Sequence, residues 1–524
     1  MVMELVKDIF DIEQLVGHNT LQTIIEGDIL VPDIKPDIHR ILTVEGDIHI
    51  NKIEVQENRI VVGGNIRFKV LYVSEKGDEL LYNIDSNTGF QEDIIIEGLN
   101  SQMKADVKAE LEHIDYNLNN ERKIGIKAVI NLEGRGIEKT SVEFGQDIEG
   151  IDNIEVLKSD LEYNHMVISD KFNIVAHGNF ELGENEEEIK EILKWDGVVL
   201  ERETRLEDGK VLISGDVFLD IMYKTWDRNL NIEVLKTTIP FKHTMEIPEV
   251  YADMMYKLRM NIEDVYINVD QNLDGENKLI QIEVSMDANI VVMEKHKKAI
   301  MVDAYVPNKS IEIEKEVIKL NENMAFYSSE IFLRESVNIP SSHPPIDEVY
   351  SVVARSVPIN YNLVGNRVIL EGILENIIIY SSGQEKKSVY SYKEEFPFDH
   401  HMEVGEIKED MEVDTDILVQ NMDFHKINEN TLELRVNLVI SYEIRQKRNI
   451  EIITNAEDLG IDIDIKGRPS FTIYFIKEGD TLWDIAKKYH TRIKDIMESN
   501  NIENPQDIRV GDQIIIEKVY DFNF

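Results

Sequence analysis

Apolar and polar residues alternate one by one in many stretches of the chain, which is the pattern of half-buried β-strands. The clearest examples are Ile124–Ile130, Ile280–Met286 and Leu432–Leu438. Such stretches are short and are separated by residues that favour turns, as in antiparallel sheets joined by hairpins. The pattern therefore predicts a mainly β chain, which becomes α+β once its C-terminal end is included.

One of these stretches occurs three times, at Arg59–Tyr72, Lys210–Tyr223 and Arg367–Tyr380. Each copy has an apolar run, a glycine at its sixth position and a tyrosine at its end, and a phenylalanine follows at a fixed distance. The equivalent residues are Gly64, Gly215 and Gly372; Tyr72, Tyr223 and Tyr380; and Phe90, Phe241 and Phe398. A glycine inside a strand indicates a bulge or a close approach of another group to the backbone.

The repeat is about 130 to 150 residues long, which suits a whole domain better than a solenoid unit. Each copy is predicted to be an antiparallel, β-rich domain with short helices, one of which starts at Pro36. Residues 1–20 are predicted to be a helical lead-in, because apolar residues recur there at roughly helical spacing. The predicted boundaries are 21–150, 160–307 and 315–455 for the repeats, 456–470 for a linker and 471–519 for a C-terminal module.

The C-terminal residues have a different pattern, which begins with a short strand and a turn at Gly479. Thr481 has Asp484 three residues after it, the spacing of a capping box that starts a helix. Apolar residues then follow at the spacing of one helical face, at Leu482, Ile485, Ala486 and Tyr489. A second helix ends near Asn501, since Asn tolerates the left-handed conformation, and Ile514–Ile516 forms a closing strand.

This β-α-α-β pattern resembles the LysM module, a small carbohydrate-binding domain. The matching residues are Gly479, Asp480, Thr481, Leu482, Ile485, Ala486, Tyr489, Asn500, Asn501, Ile508, Gly511, Asp512 and Ile514. The resemblance implies a binding module with no chemistry of its own. The usual ligands of such modules are N-acetylglucosamine polymers such as peptidoglycan.

The resemblance also implies a groove between the loop after the first strand and the loop before the last strand. The candidate residues for binding a glycan or a protein partner there are Gly479, Asp480, Thr481, Asn504, Pro505 and Ile508. Trp483 is a further candidate, because it lies about 100° from Leu482 around the first helix, at the edge of the apolar stripe. Two roles stay open for Trp483: it covers the module's small core, or it anchors a partner.

The three repeats resemble the SPOCS domain, which is found in tandem in clostridial spore proteins, and the resemblance in domain order covers the whole chain. It implies a non-enzymatic scaffold of spore coat assembly at the forespore surface, in the mother-cell cytoplasm. It also implies that the LysM module docks onto SpoIVA, the ATPase that polymerises on the forespore. The alternative is a protein that anchors to the cell wall or spore cortex by binding peptidoglycan.

Composition narrows the choice of partners. The chain has 101 acidic and 56 basic residues and a net charge of −45, most of it upstream of the LysM-like module. Nucleic acid and anionic membrane surfaces are therefore disfavoured, whereas a basic protein surface would fit. The absence of cysteine excludes disulfides and thiolate chemistry. The N-terminal residues lack the pattern of a secretory signal and no run is long enough to span a membrane, so we expect a cytoplasmic protein without direct membrane insertion.

The common catalytic motifs HExxH, GxxxxGK[ST] and GxSxG do not occur in the sequence. No catalytic residue, metal or cofactor is therefore predicted. The main enzymatic alternative is a hydrolase, because LysM modules are often joined to cell-wall hydrolases. A threefold repeat argues against it, since catalysis needs one site whereas three diverged copies indicate binding surfaces.

Overall fold

A computed structural model of the chain describes residues 3–76, 80–226, 232–383, 388–405, 411–463, 467 and 469–518. The repeats are three units of six strands, and each unit consists of two three-stranded antiparallel sheets. In repeat 1 the sheet orders are β1-β6-β5 and β2-β3-β4. Its strands are β1 (Glu4–Leu30), β2 (Arg40–Gln56), β3 (Arg59–Val73), β4 (Leu81–Ile95), β5 (Lys104–Asn120) and β6 (Lys123–Glu149).

Repeats 2 and 3 have the same topology, with sheets β7-β12-β11 and β8-β9-β10, then β13-β18-β17 and β14-β15-β16. The strands of repeat 2 are β7 (Glu155–Glu181), β8 (Ile189–Glu207), β9 (Lys210–Thr225), β10 (Ile232–Glu246), β11 (Met255–Gln271) and β12 (Asn277–Tyr305). Those of repeat 3 are β13 (Lys309–Asn338), β14 (Glu348–Val364), β15 (Arg367–Ser382), β16 (Ser388–Glu403), β17 (Met411–Asn428) and β18 (Thr431–Asp462). The prediction of a mainly β chain with three homologous repeats is confirmed.

The repeated glycines are sites of close approach, as their position inside a strand predicted. Each pairs across the sheet with the repeated phenylalanine, in the pairs Gly64–Phe90, Gly215–Phe241 and Gly372–Phe398. A Cβ atom on Gly64 would lie 2.7 Å from Phe90 Cζ and 2.5 Å from the His49 carbonyl oxygen. Only glycine leaves room there for the aromatic ring to lie over the backbone.

Replacing Gly64 with alanine is expected to lower the free energy of unfolding by about 1 to 3 kcal/mol, because the new methyl group overpacks the site. Gly89, beside Phe90 on β4, is the matched control. Its nearest neighbour would be 3.8 Å from an added Cβ, so Gly89→Ala should be nearly neutral. Urea unfolding followed by circular dichroism measures both, and equal losses in the two variants would contradict the close-approach explanation.

Two helical predictions, one for the lead-in and one for the first repeat, are wrong. Residues 4–20 are not a helical lead-in but the first part of strand β1, which pairs with β6 from Glu4 opposite Glu149 to Leu30 opposite Lys123. The long strand β6 offers a complete hydrogen-bonding edge, and this pairing overrides the weak helical spacing. Pro36 starts no helix, because nearby backbone groups bond elsewhere: the Ile38 N–H donates to the Glu121 carbonyl at 2.7 Å.

The predicted linker is partly wrong as well. Residues 456–462 continue strand β18, and Asp462 pairs with Lys309 at the start of β13. The Ile463 N–H then donates to the Asn308 carbonyl at 2.9 Å. Residues 464–466 and 468 of the predicted linker lie outside the described residues.

Equivalent residues of the three repeats meet in shared buried clusters, which is the arrangement expected of a threefold assembly. One buried cluster between them, here called the hub, takes equivalent residues from each repeat: Leu42, Leu193 and Tyr350; Leu71, Met222 and Ile379; and Leu81, Ile232 and Val389. A second cluster joins the long strands in the same way, through Phe10, Leu161 and Ile318; Ile12, Tyr163 and Leu320; and Phe144, Ile300 and Ile452. The chain is thus folded like a trimer whose three subunits are linked in sequence.

The three interfaces between repeats differ in their polar contacts. Examples of their ion pairs are Lys194–Glu45 between repeats 1 and 2, Lys257–Glu443 between repeats 2 and 3, and Arg135–Asp414 between repeats 3 and 1. Because different partners pair at each interface, these contacts favour one order of the repeats in the assembly.

Candidate binding surfaces of the C-terminal module

The C-terminal module has the predicted β-α-α-β order. Its elements are β19 (Phe471–Phe475), α1 (Leu482–Tyr489), α2 (Ile493–Asn500) and β20 (Gln513–Glu517), with β19 antiparallel to β20. The predicted helix start at Thr481 is confirmed, because Thr481 Oγ1 accepts a hydrogen bond from the Asp484 N–H at 3.1 Å, and the Asp484 carboxylate accepts one from the Thr481 hydroxyl at 2.6 Å. The predicted left-handed residue is confirmed too: Asn501 ends α2 with φ of 54°.

The two loops that carry the candidate groove residues lie side by side. The Ile476 N–H donates to the Asp512 carbonyl at 2.9 Å, and the Gly511 N–H donates to the Ile476 carbonyl at 2.9 Å. These bonds extend the sheet and hold the loop after β19 against the loop before β20. Gly479, Thr481, Asn504 and Pro505 are exposed, Asp480 is half-buried, and Ile508 is half-buried against the module's core.

Several of these side chains shape the loops. Asp480 Oδ2 accepts from the Lys477 N–H and from the Tyr474 hydroxyl, both at 2.8 Å. These two hydrogen bonds lower the pKa of Asp480 and keep it ionised. Gly479 has φ of 86°, a left-handed conformation that favours glycine. Asn504 Oδ1 accepts from the Gln506 N–H at 3.1 Å. With the Thr481 hydroxyl bonded to Asp484, a ligand in this groove would meet mainly backbone groups and Pro505.

The side chain of Trp483 contacts repeat 2 and not the exposed residues of the groove. Its side chain is 6% exposed and meets the Tyr305 ring edge-on at 5.0 Å between centroids. Its indole N–H donates to Asp303 Oδ2 at 2.9 Å, and Lys487 Nζ lies 2.7 Å from both oxygens of the same carboxylate. The sequence left two roles open for Trp483, a cover for the module's core or an anchor for a partner. Neither is sufficient by itself, because Trp483 fills an interface between the module and repeat 2 of the same chain.

Asp303 is ionised in this interface. Burial raises the pKa of its carboxyl, but the hydrogen bonds from Lys487 and Trp483 and the Lys487 charge together lower it more, so the pKa lies below its usual value. The Tyr305 hydroxyl completes the contact by donating to the Thr491 carbonyl at 2.8 Å. The helical side of the module is therefore fastened to the end of β12.

The opposite side of the module is an uncovered apolar surface that the sequence reasoning missed. Its residues, here called the sheet face, point outward from β19 and β20: Phe471, Ile473, Phe475 and Ile515. Phe471 and Phe475 are each 61% exposed, and Ile473 is 47% exposed. The available signal was that β19 reads FTIYF, in which the three alternate residues Phe471, Ile473 and Phe475 give one face of the strand a wholly apolar surface.

Within the described residues no group of three or more His, Asp or Glu side chains is placed to hold a metal ion. None of the helices that the structure describes is long and apolar enough to cross a membrane.

Comparison with known proteins agrees with this domain organisation. The family model described as SipL, SPOCS domain matches three segments, residues 37–119, 188–270 and 345–427. The LysM domain model matches residues 474–517. Both are non-catalytic binding modules, and together they indicate a sporulation protein that carries a LysM domain of the peptidoglycan-binding type. No solved structure matches the chain.

A curated relative shares only the C-terminal module. The cortical fragment-lytic enzyme of Bacillus subtilis (strain 168) is 50% identical over 44 residues, which are 8% of this chain and 10% of the relative. The match therefore extends to none of the repeats. Three SPOCS domains in tandem followed by one LysM domain place this chain in the family of SipL-like spore proteins.

Proposed function

We propose that the chain is a non-enzymatic scaffold of spore coat assembly that docks through its LysM domain onto a SpoIVA-like ATPase. It acts at the forespore surface, in the mother-cell cytoplasm. The three repeats form one acidic body, and the LysM domain presents the docking surface. The proposal needs no cofactor and no metal.

The observation that carries the proposal is the uncovered sheet face. Four large apolar side chains lie together on a module whose other side is already packed on repeat 2. Clustered apolar side chains on a protein surface are typical of protein–protein contacts, whereas glycans are bound in grooves. A partner that covers the two phenylalanines would gain the free energy of burying their apolar surface.

Peptidoglycan binding is the second candidate function. The loops around Gly479 and Pro505 are exposed and lie side by side, which is the geometry expected for a glycan groove. The relative that shares this module is named for cortical fragments. The two functions use different surfaces, so one set of variants can separate them.

We test this with two variants of the full chain, Ile473→Arg in the sheet face and Pro505→Glu in the groove. Binding of each is measured to the purified ATPase and, separately, to isolated peptidoglycan. We expect Ile473→Arg to weaken ATPase binding by about thirtyfold or more, roughly 2 kcal/mol, because it places a charge in an apolar contact. Pro505→Glu should bind the ATPase as the unmodified chain does.

Each variant is the control for the other, since both positions are exposed and neither substitution disturbs the core. If the unmodified chain binds peptidoglycan but not the ATPase, and Pro505→Glu abolishes that binding, the protein is a wall or cortex anchor instead. Unchanged ATPase binding by Ile473→Arg would exclude the sheet face as the docking surface.

A further inference from the structure

The LysM domain packs on repeat 2 through a contact, here called the seat, that is formed by Leu157, Asp303 and Tyr305 and combines apolar packing, hydrogen bonds and an ion pair. Leu157 and Tyr305 of repeat 2 belong to the same apolar cluster as the core of the module. The Asp303 carboxylate accepts hydrogen bonds from the Trp483 indole N–H and from the Lys487 ammonium group. Charge-assisted bonds of this kind are stronger than neutral ones, so they fix the orientation of the module as well as its place.

Among the described residues of the other two repeats this seat has no counterpart, although their strands have the same register. The strand pairing identifies the residues of repeats 1 and 3 that correspond to Asp303. Asp303 pairs with Leu157 in repeat 2, and the corresponding pairs are Asp147 with Val6 in repeat 1 and Asn455 with Glu314 in repeat 3. Two positions further on, repeat 2 has Tyr305 where repeats 1 and 3 have the exposed residues Glu149 and Glu457. Asp147 is bonded to Lys158 at 2.6 Å, and the Asn455 amide group to Glu457 at 3.3 Å.

We propose that repeat 2 is the intramolecular receptor of the LysM domain, and that Trp483 is a positioning residue that fastens the domain there instead of touching an outside partner. Tyr305 supplies the aromatic contact and Asp303 the hydrogen-bond acceptor. The seat holds the helical side of the module inward, so the sheet face and the groove are the surfaces that remain open. The part that concerns outside partners rests on the proposed function; the seat itself does not.

Crosslinking in the full chain tests the seat directly, because the natural sequence has no cysteine. Glu155 lies across a shallow groove from Lys494 of α2, and its counterparts in the other repeats are also glutamates, Glu4 and Glu312. The double variant Glu155→Cys with Lys494→Cys is compared with Glu4→Cys and with Glu312→Cys, each paired with Lys494→Cys. A short bismaleimide then links cysteines that lie near each other.

We expect the Glu155 pair to give at least about tenfold more linked product than either counterpart, because a seated module has one fixed neighbour whereas a tethered one samples all three. A module that is only tethered would give most linked product with the Glu312 pair. Glu312 pairs with Glu457, which lies near the end of β18, the last strand before the module. Equal linking of all three pairs, or preference for Glu312, would overturn the proposal.

Tyr305→Glu is the decisive variant, because it gives repeat 2 the residue that repeats 1 and 3 carry and that their strands accommodate. In the Glu155–Lys494 background it should abolish the link. Thermal unfolding of the repeats should be unchanged, which separates loss of the seat from loss of the fold. Persistence of the link in Tyr305→Glu would show that the aromatic contact does not hold the module.

The role of Trp483 is tested by ATPase binding of Trp483→Ala, Tyr305→Glu and the double variant. If both residues act through the seat, each single variant weakens binding to the same degree and the double variant is no weaker than either. Additive losses, or normal binding by Tyr305→Glu beside impaired binding by Trp483→Ala, would assign Trp483 to the outside partner. The crosslinking result stands whether or not the ATPase is the partner.

Discussion

Replacing Asp414 with alanine is expected to lower the free energy of unfolding by about 2 to 4 kcal/mol at neutral pH, because it removes the acceptor of a partly buried ion pair. Arg135 donates two hydrogen bonds to the Asp414 carboxylate, at 2.6 and 2.7 Å, across the interface of repeats 1 and 3. Arg445 also donates to this carboxylate. The loss should fall in the lower part of the range, since Glu133 still pairs with Arg135.

The pH dependence of stability gives a second test of this contact. Burial raises the pKa of Asp414, but the hydrogen bonds from Arg135 and the charges of Arg445 and Arg135 outweigh it and lower the pKa to about 2. The folded-state pKa lies below the usual value of about 3.9. The stabilisation is therefore present above about pH 4 and is lost as the pH falls through about 2. The variant and the unmodified chain should converge in stability over that range.

Asp416 is the matched control for Asp414, because it lies two residues further along the same strand and its side chain is 56% exposed. It is 4.0 Å from Arg259, and exposed pairs of this kind contribute at most about 1 kcal/mol. Urea unfolding of Asp414→Ala and Asp416→Ala at neutral pH compares them. Equal effects would mean that the Arg135–Asp414 pair does not stabilise the interface.

The repeats could be predicted from the sequence because their cores depend on local and regular patterns. Alternation located the strands, and Gly64 with its counterparts kept the register of three diverged copies visible. The C-terminal module could be predicted for the same reason, since Thr481, Asp484 and Asn501 are local signals of helix ends. Contacts between neighbours in sequence leave such signals.

Contacts between distant residues leave no such signal, and the errors in the sequence analysis arise there. The strand in residues 4–20 is stabilised by β6, more than a hundred residues away, while its own spacing suggested a helix. The role of Trp483 depends on Asp303 and Tyr305, which nothing in the C-terminal module reveals. One clue was present: repeat 2 alone has a tyrosine where its counterparts have Glu149 and Glu457.

Replacing Ile379 with aspartate is expected to have the largest effect of any single change considered, more than about 5 kcal/mol, because it buries a charge without a partner. Ile379 belongs to repeat 3, is fully buried and lies in the hub with Leu71 of repeat 1 and Met222 of repeat 2. Water that enters to hydrate the carboxylate would reach all three repeats. We therefore expect the damage to extend beyond repeat 3.

Hydrogen exchange measured by mass spectrometry can follow that spread repeat by repeat. In Ile379→Asp we expect faster amide exchange in β3 and β9 as well as in β15, because all three strands contribute to the hub. Ile359→Asp, on the neighbouring strand β14 where Ile359 is 60% exposed, should leave exchange close to normal. If only β15 loses protection, the repeats are independent folding units that merely touch. Loss in all three would mean that the hub makes one cooperative body of the three repeats, on which the LysM domain can be held at a single place.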